Sequence, residues 1–323
     1  IKIHVDKYHN AGDFWLTGSQ VFKLMSGIQE SLAGRVAVLS LTSLSQAEIC
    51  GGEMQPFTLD IEKLSARRKE RTAADTGVIF DWIFRGSMPA IVSEKNSNSQ
   101  IFYSSYLTTY IERDVREVSD AIDSLKFLHF ITAVAARCGQ ILNIAEIARD
   151  ADINQKQAKN WLGVLETLGL IFYLHPYSNN MLKRLVKTPK LYFYDTGLAC
   201  FLLGINTVEQ LDTHPLRGSL FENMVVNDML KNGLNRGRQE SLFFYRDKSQ
   251  REVDILRLRQ DDTLEAYEIK AGMTFHTEYF KNLHYLQSII GERMKRTAVI
   301  YDGDQENQQL IDGYCNFRNL QLE

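Results

Sequence analysis

Near the C-terminal end of the chain, two acids and a lysine stand at a spacing that can do chemistry. Asp254 lies in Arg251-Glu252-Val253-Asp254-Ile255-Leu256, and Glu268 and Lys270 lie in Tyr267-Glu268-Ile269-Lys270. Side chains alternate across a strand, so Glu268 and Lys270 share a face while Ile269 turns to the core. A hairpin would bring the Asp254 carboxylate beside Glu268. Such carboxylates offer the oxygen ligands that a hard cation such as Mg²⁺ takes, and the lysine would hold a water or a phosphate beside it. That is phosphodiester-cleavage chemistry in outline. A Glu-x-Lys alone carries little weight, because charged strand faces produce it by chance.

The elements around these residues supply the rest. Ser219 to Lys231 reads as a helix, with Leu220, Val225, Met229 and Leu230 apolar and Glu222 near its start. Leu242–Arg246, Glu252–Leu258 and Leu264–Lys270 read as short strands, Tyr279–Ile290 as an amphipathic helix and Thr297–Tyr301 as a final apolar strand. This α-β-β-β-α-β order, with acids in the first helix and the second and third strands, resembles the PD-(D/E)XK nuclease-like core. Arg217-Gly218-Ser219-Leu220-Phe221-Glu222 also resembles the Arg-Gly…Glu opening of junction-resolvase relatives of that superfamily. The resemblance covers roughly the last third of the chain. It implies Glu222, Asp254 and Glu268 as ligands for one or two Mg²⁺ ions, with the Ile269 carbonyl as a further candidate ligand. It also implies Lys270, Glu268 and Asp254 as the catalytic set, with Lys270 orienting or deprotonating the attacking water. The competing reading is a purely structural charge cluster.

A chain of 323 residues has room for two or three domains with real cores. Its 44% hydrophobic and 24% charged content is ordinary for a soluble protein. A net charge of −3 gives no global attraction to nucleic acid, so binding would need local patches. Asn179 to Tyr194 holds Lys183, Arg184, Lys187 and Lys190 without a single acid, and Arg236, Arg238, Arg246, Lys248 and Arg251 flank the carboxylates. The scattered Cys50, Cys138, Cys200 and Cys315 match neither zinc-ligand spacing nor a disulfide framework, which suits a reducing cytoplasm. No apolar run is long enough to span a bilayer, so no membrane partner is expected.

Phe14-Trp15-Leu16-Thr17-Gly18-Ser19 is an apolar run ending in small polar residues, as a buried parallel strand does where α/β sheets bind ligands. Gln20 to Glu30 reads as a helix and Val36–Leu41 as a short strand. Leu-Thr-Gly-Ser-Gln, then Glu-Ser-Leu-Ala-Gly-Arg-Val, then Leu-Thr-Ser-Leu-Ser is similar to the second half of a AAA-type ATPase domain. The family is that of prokaryotic ATP-binding proteins carrying a C-terminal domain of unknown function. It implies Ser19 at the end of a sensor strand facing the γ-phosphate, and Arg35 as a phosphate-sensing or finger arginine. The chain departs from the family at the phosphate cradle, having no G-x-x-x-x-G-K-[ST] and no apolar strand ending in Asp-Glu. It opens at Ile1-Lys2-Ile3-His4-Val5, which reads as the middle of an element. The expectation is therefore the C-terminal portion of a longer ATPase, with ATP a cofactor only when the upstream half is present.

Residues 51–118 read as a helical lid or linker. Phe80 to Arg85 looks helical, ending in a Gly86 turn before Pro89. Phe102 to Glu117 is amphipathic, and its Tyr-Leu-Thr-Thr-Tyr-Ile-Glu-Arg-Asp-Val matches the same family. Residues 119–200 read as helices from Ala121 to Cys138, from Asn143 and from Gln155 to Leu168, with Asn154 as N-cap, followed by a ribbon of Gly169–Leu174 and Lys190–Tyr194. Three helices and a β-ribbon make a winged helix-turn-helix. Its third helix would offer Lys156, Gln157, Lys159 and Asn160 to DNA, with Lys183 and Arg184 on the basic stretch beyond. Winged helices also join proteins, so a protein partner stands as the other reading. Asp195-Thr196-Gly197 looks like a domain junction.

The fold expected is thus α/β and α+β multidomain: the remnant of a P-loop ATPase α/β domain over 1–50, a helical lid, a winged helix-turn-helix, and over 201–323 an αβββαβ PD-(D/E)XK-like core. The function expected is the C-terminal portion of an AAA-type ATP-binding protein with a Mg²⁺-dependent nuclease-like domain acting on nucleic acid. The alternative is a catalytically inactive nuclease-fold adaptor that binds DNA or a protein partner for the ATPase.

Overall fold

The apolar strands of the C-terminal half pair as their alternation requires, but into a larger sheet than their own number. In the computed structural model, which describes residues 1–16, 34–51, 78–93, 98–111, 123–177, 187–307 and 309–317, one seven-stranded mixed sheet runs β2-β1-β3-β4-β5-β6-β7. The strands are β1 (Ile171–Pro176), β2 (Lys190–Phe193), β3 (Ser241–Arg246), β4 (Glu252–Leu258), β5 (Leu264–Lys270), β6 (Met294–Tyr301) and β7 (Gly313–Asn316). Pairs β1–β2, β3–β4 and β4–β5 are antiparallel, whereas β1–β3, β5–β6 and β6–β7 are parallel. The parallel β1–β3 pair extends the C-terminal sheet into the β-ribbon. Local alternation cannot show such a pair, because it joins residues about seventy positions apart.

Helices flank this sheet. Their order is α1 (Lys2–Tyr8), α2 (Gln46–Ile49), α3 (Val78–Arg85), α4 (Pro89–Ser93), α5 (Ser99–Tyr106), α6 (Ser124–Ala135), α7 (Ile144–Asp150), α8 (Gln155–Thr167), α9 (Thr196–Leu202), α10 (Val208–Thr213), α11 (Arg217–Leu234) and α12 (Lys281–Ile290). Period-two alternation divides β5 between two cores. Leu264 and Ala266 pack with Leu283 and Leu286 of α12, while Tyr267 and Ile269 pack with the core that contains Leu220 and Val225 of α11.

Helices α6 to α8 form where capping residues precede apolar faces. Asp123, Asn143 and Asn154 accept hydrogen bonds from the first-turn amides, each cap worth about 1 kcal/mol. Trp161 of α8 is buried edge-on against Phe130, with ring centroids 5.2 Å apart. One continuous core links Ile79 of α3, Phe130 and Trp161, Phe193 of β2, and Phe221 and Phe317. Cys200 and Leu202 belong to it, so the chain is packed straight through the expected boundary at residue 200.

Residues 14–16 and 36–41 differ from the expected strands. Both are irregular, with Trp15 80% and Leu41 98% exposed. A parallel strand needs a neighbour for its N–H and C=O groups, and none of the described strands runs beside them. Among the described residues, no helix is long and apolar enough to cross a membrane.

Candidate functional site

Helix α11 docks on the outer edge of β2, and that docking builds the site. An edge strand presents unpaired amides and carbonyls that must find partners. Asn223 Oδ1 accepts the Phe193 N–H at 2.7 Å, and its Nδ2 donates to the Phe193 carbonyl at 2.8 Å. Asn227 donates to the Tyr194 carbonyl at 2.7 Å. The turn before α7 closes the rest of the edge: Gly139 N–H donates to Leu191 O at 2.7 Å, and Leu191 N–H to Gln140 O at 3.1 Å. Gly139 has φ 73°, and a Cβ there would stand 3.1 Å from Ser219 Cβ, so the turn and α11 meet closely.

Glu222, next to Asn223, is thereby carried over the start of β2. Its Oε1 accepts hydrogen bonds from Lys190 Nζ at 2.8 Å and Tyr192 OH at 2.5 Å. Lys190 is 2% exposed, and its ammonium also stands 2.5 Å from Glu252 Oε1 and 3.8 Å from Asp254 Oδ1. Arg246 Nη1 reaches the other Glu252 oxygen at 2.8 Å.

A β-bulge positions Asp254. Phe243 pairs with Leu256 and Tyr245 with Val253, leaving Phe244 opposite both Asp254 and Ile255. Bulges re-aim side chains beside functional sites, and here the extra residue lies at the acid. Asp254 Oδ2 accepts the Ile269 N–H at 2.7 Å, tying β4 to β5 where their ladder ends. On β5, Lys270 Nζ sits 2.6 Å from Glu268 Oε1 and 5.7 Å from the centre of the Tyr279 ring. Glu268 Oε2 is buried with no hydrogen-bond partner.

Electrostatics follow from this packing. Burial and the Asp254 charge push the Glu222 and Glu268 carboxyls well above the usual carboxylate range. For Lys190 burial opposes the charge, but Glu222, Asp254 and Glu252 outweigh it and hold the ammonium above the ordinary lysine value. Burial likewise opposes the Lys270 charge and is outweighed by Asp254 and Glu268. Among the described residues, no three His, Cys, Asp or Glu side chains stand in an arrangement that could hold a metal ion as they are. Lys190, Lys270 and the Ile269 N–H engage oxygens of these carboxylates.

The structure therefore brings Glu222, Asp254, Glu268 and Lys270 into one neighbourhood, joins to it Arg246 of the flanking cations, and adds Lys190, Tyr192 and Glu252, whose place there the sequence reading misses. From the sequence Lys190 reads as part of a basic patch and as the start of a ribbon strand, not as a member of the site. The signal available was its place at the head of Leu191-Tyr192-Phe193, since a strand buried along its length leaves a leading lysine little access to water. Of the flanking cations, Arg246, Arg251 and Arg236 are engaged with Glu252, Asp247 and Glu240. On α8, Lys156, Lys159 and Asn160 are exposed and Gln157 is half-buried. Arg35 pairs with Asp6 at 2.5 Å. Thr17, Ser19, Lys183 and Arg184 lie outside the described residues.

Asp195 makes the junction its motif suggested. It accepts hydrogen bonds from Leu198 N–H at 2.8 Å, Tyr103 OH at 2.7 Å and Ser87 N–H at 2.7 Å, binding α9, α5 and the turn after α3 together. A Cβ on Gly197 would lie 2.5 Å from the Arg85 carbonyl oxygen, so the motif's glycine is needed for that close approach.

Residues 1–50 match an AAA domain, residues 77–209 a domain of unknown function (DUF8612), and residues 217–318 a second domain of unknown function (DUF4143). Over 304 residues, 94% of the chain, it is 25% identical to an uncharacterized protein of Mycobacterium tuberculosis and equally to one of Mycobacterium bovis. The chain spans 62% of the length of these curated relatives. No solved structure matches.

Proposed function

We propose that this chain is the effector-bearing portion of an AAA-type ATP-binding protein, and that its carboxylate–lysine site cleaves phosphodiesters with a divalent metal. The AAA-domain match over residues 1–50 supports the first part. The observation that carries the second is the buried Glu268 Oε2, which has no partner, in a carboxyl that feels the charges of Asp254, Lys270 and Glu222. An orphaned buried carboxylate oxygen is costly, and a hard cation would satisfy it. The donor set therefore fits Mg²⁺ in kind, with Glu222, Asp254 and Glu268 as the residues that would hold it. When bound, such an ion would stabilise charge on the phosphate oxygens.

The chain's own residues have separable tasks in this reading. The bulge and the Ile269 N–H hold Asp254 in place before substrate arrives. Lys270, with a third of its side chain exposed, would orient a water or a phosphate oxygen. Helices α6 to α8 and the β1–β2 ribbon would act as a winged helix, presenting Lys156, Gln157, Lys159 and Asn160 to nucleic acid. ATP would bind the AAA part of the whole protein.

Calorimetric titration of Mg²⁺ and Mn²⁺ into wild type and Asp254→Asn, with DNA and RNA cleavage assayed in the same samples, tests this. Cation binding lost in the variant and cleavage by wild type alone are expected. Equal cleavage by wild type, Asp254→Asn and Lys270→Ala would remove the nuclease reading.

The seat of Lys190 among three carboxylates favours a second reading, a non-catalytic adaptor whose charges are internally balanced. It expects nucleic-acid binding without cleavage that weakens steeply with salt, or binding to a protein partner instead.

A further inference from the structure

We propose that Lys190 is an internal placeholder for the divalent cation, whose ammonium fills the space between Glu222, Glu252 and Asp254 and must withdraw before the ion can bind. The inference rests on the metal reading above and adds to it a residue from outside the nuclease-like segment.

Position carries the argument first. Lys190 Nζ contacts Glu252 Oε1 at 2.5 Å and Glu222 Oε1 at 2.8 Å, and lies 3.8 Å from Asp254 Oδ1. Two of these three acids are the ones that would hold the metal. An ammonium and a hard cation seek the same oxygens, and two cations sharing them repel one another. The contacts of Lys190 thus engage the oxygens a cation would need, and after its withdrawal the carboxylates must also close in, since as they stand no three acids among the described residues could hold an ion.

Charge balance carries it further. Four acids, Glu222, Glu252, Asp254 and Glu268, face three cations, Lys190, Arg246 and Lys270. With Lys190 in place the group would keep one excess negative charge if fully ionised, and burial beside Asp254 accordingly holds the Glu222 and Glu268 carboxyls above the usual carboxylate range. A divalent ion in place of the ammonium would make the group neutral.

The displaced side chain also has somewhere to go. A cavity of about 600 Å³ is bordered by Lys190, Glu222, Arg246 and Glu252 on one side and by the Gly139–Gln140 turn on the other. That turn and α11 both grip β2 by hydrogen bonds, so the seating of the β-ribbon sets where the ammonium lies. Cation affinity is therefore tied to the position of the helical unit on the sheet.

The test uses the full chain with Mn²⁺ alone as probe. Lys190→Met is expected to bind Mn²⁺ at least about tenfold more tightly than wild type by calorimetry. Its melting temperature is expected to fall in EDTA and recover with Mn²⁺, whereas wild type changes far less. In wild type, acylation of Lys190 followed by mass spectrometry is expected to be slow in EDTA and faster with saturating Mn²⁺. Equal or weaker Mn²⁺ binding by Lys190→Met would overturn the proposal. If that variant does not fold under either condition, the labelling decides, and Lys190 protection unchanged by Mn²⁺ would overturn it. Tighter Mn²⁺ binding by Lys190→Met with no nucleic-acid cleavage by either protein would keep the placeholder and remove the nuclease. Asp254-dependent cleavage with unaltered Mn²⁺ affinity in Lys190→Met would do the reverse.

Discussion

Lys190 and Lys231 are each 2% exposed, and the molecule treats their charges in opposite ways. Lys190 is matched by charge, among three carboxylates. Lys231, on the far part of α11, is matched by dipoles: it donates to Ser43 Oγ at 2.8 Å, Leu44 O at 3.0 Å and Ser87 Oγ at 3.0 Å. Asp195, Asp228 and Glu48 act on it only in part, and burial pushes it down to about 8. The contrast separates two uses of a buried cation. At Lys190 the charge is indispensable because its partners are anions that would otherwise be buried together. At Lys231 the ammonium serves as a three-armed donor that pins the segment before α2 and the turn after α3 onto α11. Hydroxyls can rotate to new partners, whereas the carboxylates around Lys190 would be left beside one another without their cation.

The largest effect should come from removing the charge where it is matched. Lys190→Met in EDTA is expected to lose about 3–5 kcal/mol of unfolding free energy, the usual result of leaving buried partners uncompensated. A loss below that of Lys231→Met in the same denaturation series would dissolve the distinction.

The junction near Lys231 should be sensitive to volume rather than to charge. Gly197→Ala forces a methyl group against the Arg85 carbonyl and Tyr103 OH, so a cost of about 1–3 kcal/mol is expected. Urea unfolding measures it, and a neutral result would mean that the packing there yields.

Lys231→Met should cost about 1–2 kcal/mol at neutral pH, since the hydroxyls left behind can re-partner while the buried charge is relieved. Hydrogen exchange should rise first at residues 43–48, which Lys231 holds, and little change is expected in β4 and β5. Exchange spread evenly over the sheet would show that Lys231 supports the whole core.

The comparison also sharpens through pH. Lys231 lies at about 8 in the folded chain against an ordinary 10.5, so the unfolded chain binds more protons between those values. Wild-type stability should therefore rise relative to Lys231→Met as pH increases from about 8 to 10.5, and the difference should be constant below that window. A gap that moves the other way would place the Lys231 shift in the opposite direction.

Much of the fold was legible from local pattern. Asn154 and Asn143 announce helix starts because a short polar side chain can satisfy first-turn amides wherever it occurs, whereas Asp195, read only as a junction, caps a helix as well. Strands β4 and β5 were read with their correct limits, because their apolar stretches end in polar turns. Strand β7 and the parallel β1–β3 pair were not, since each depends on a partner distant in sequence. Residues 14–16 and 36–41 show the converse: composition suited to a strand does not make one without a neighbour.

The candidate site divides in the same way. The sequence by itself determined that Glu268 and Lys270 share one side of a strand and that Ile269 enters the core, because the backbone fixes that alternation. It also determined a helix beginning near Glu222 and an acid at Asp254. Only the tertiary structure decided that a bulge in β4 sits at Asp254, that α11 seals the edge of β2, and that Lys190 enters the carboxylates from a strand otherwise read as part of a basic surface. Those outcomes depend on strand register and on which polar groups lose water together, and both are settled by contacts between segments far apart in the chain.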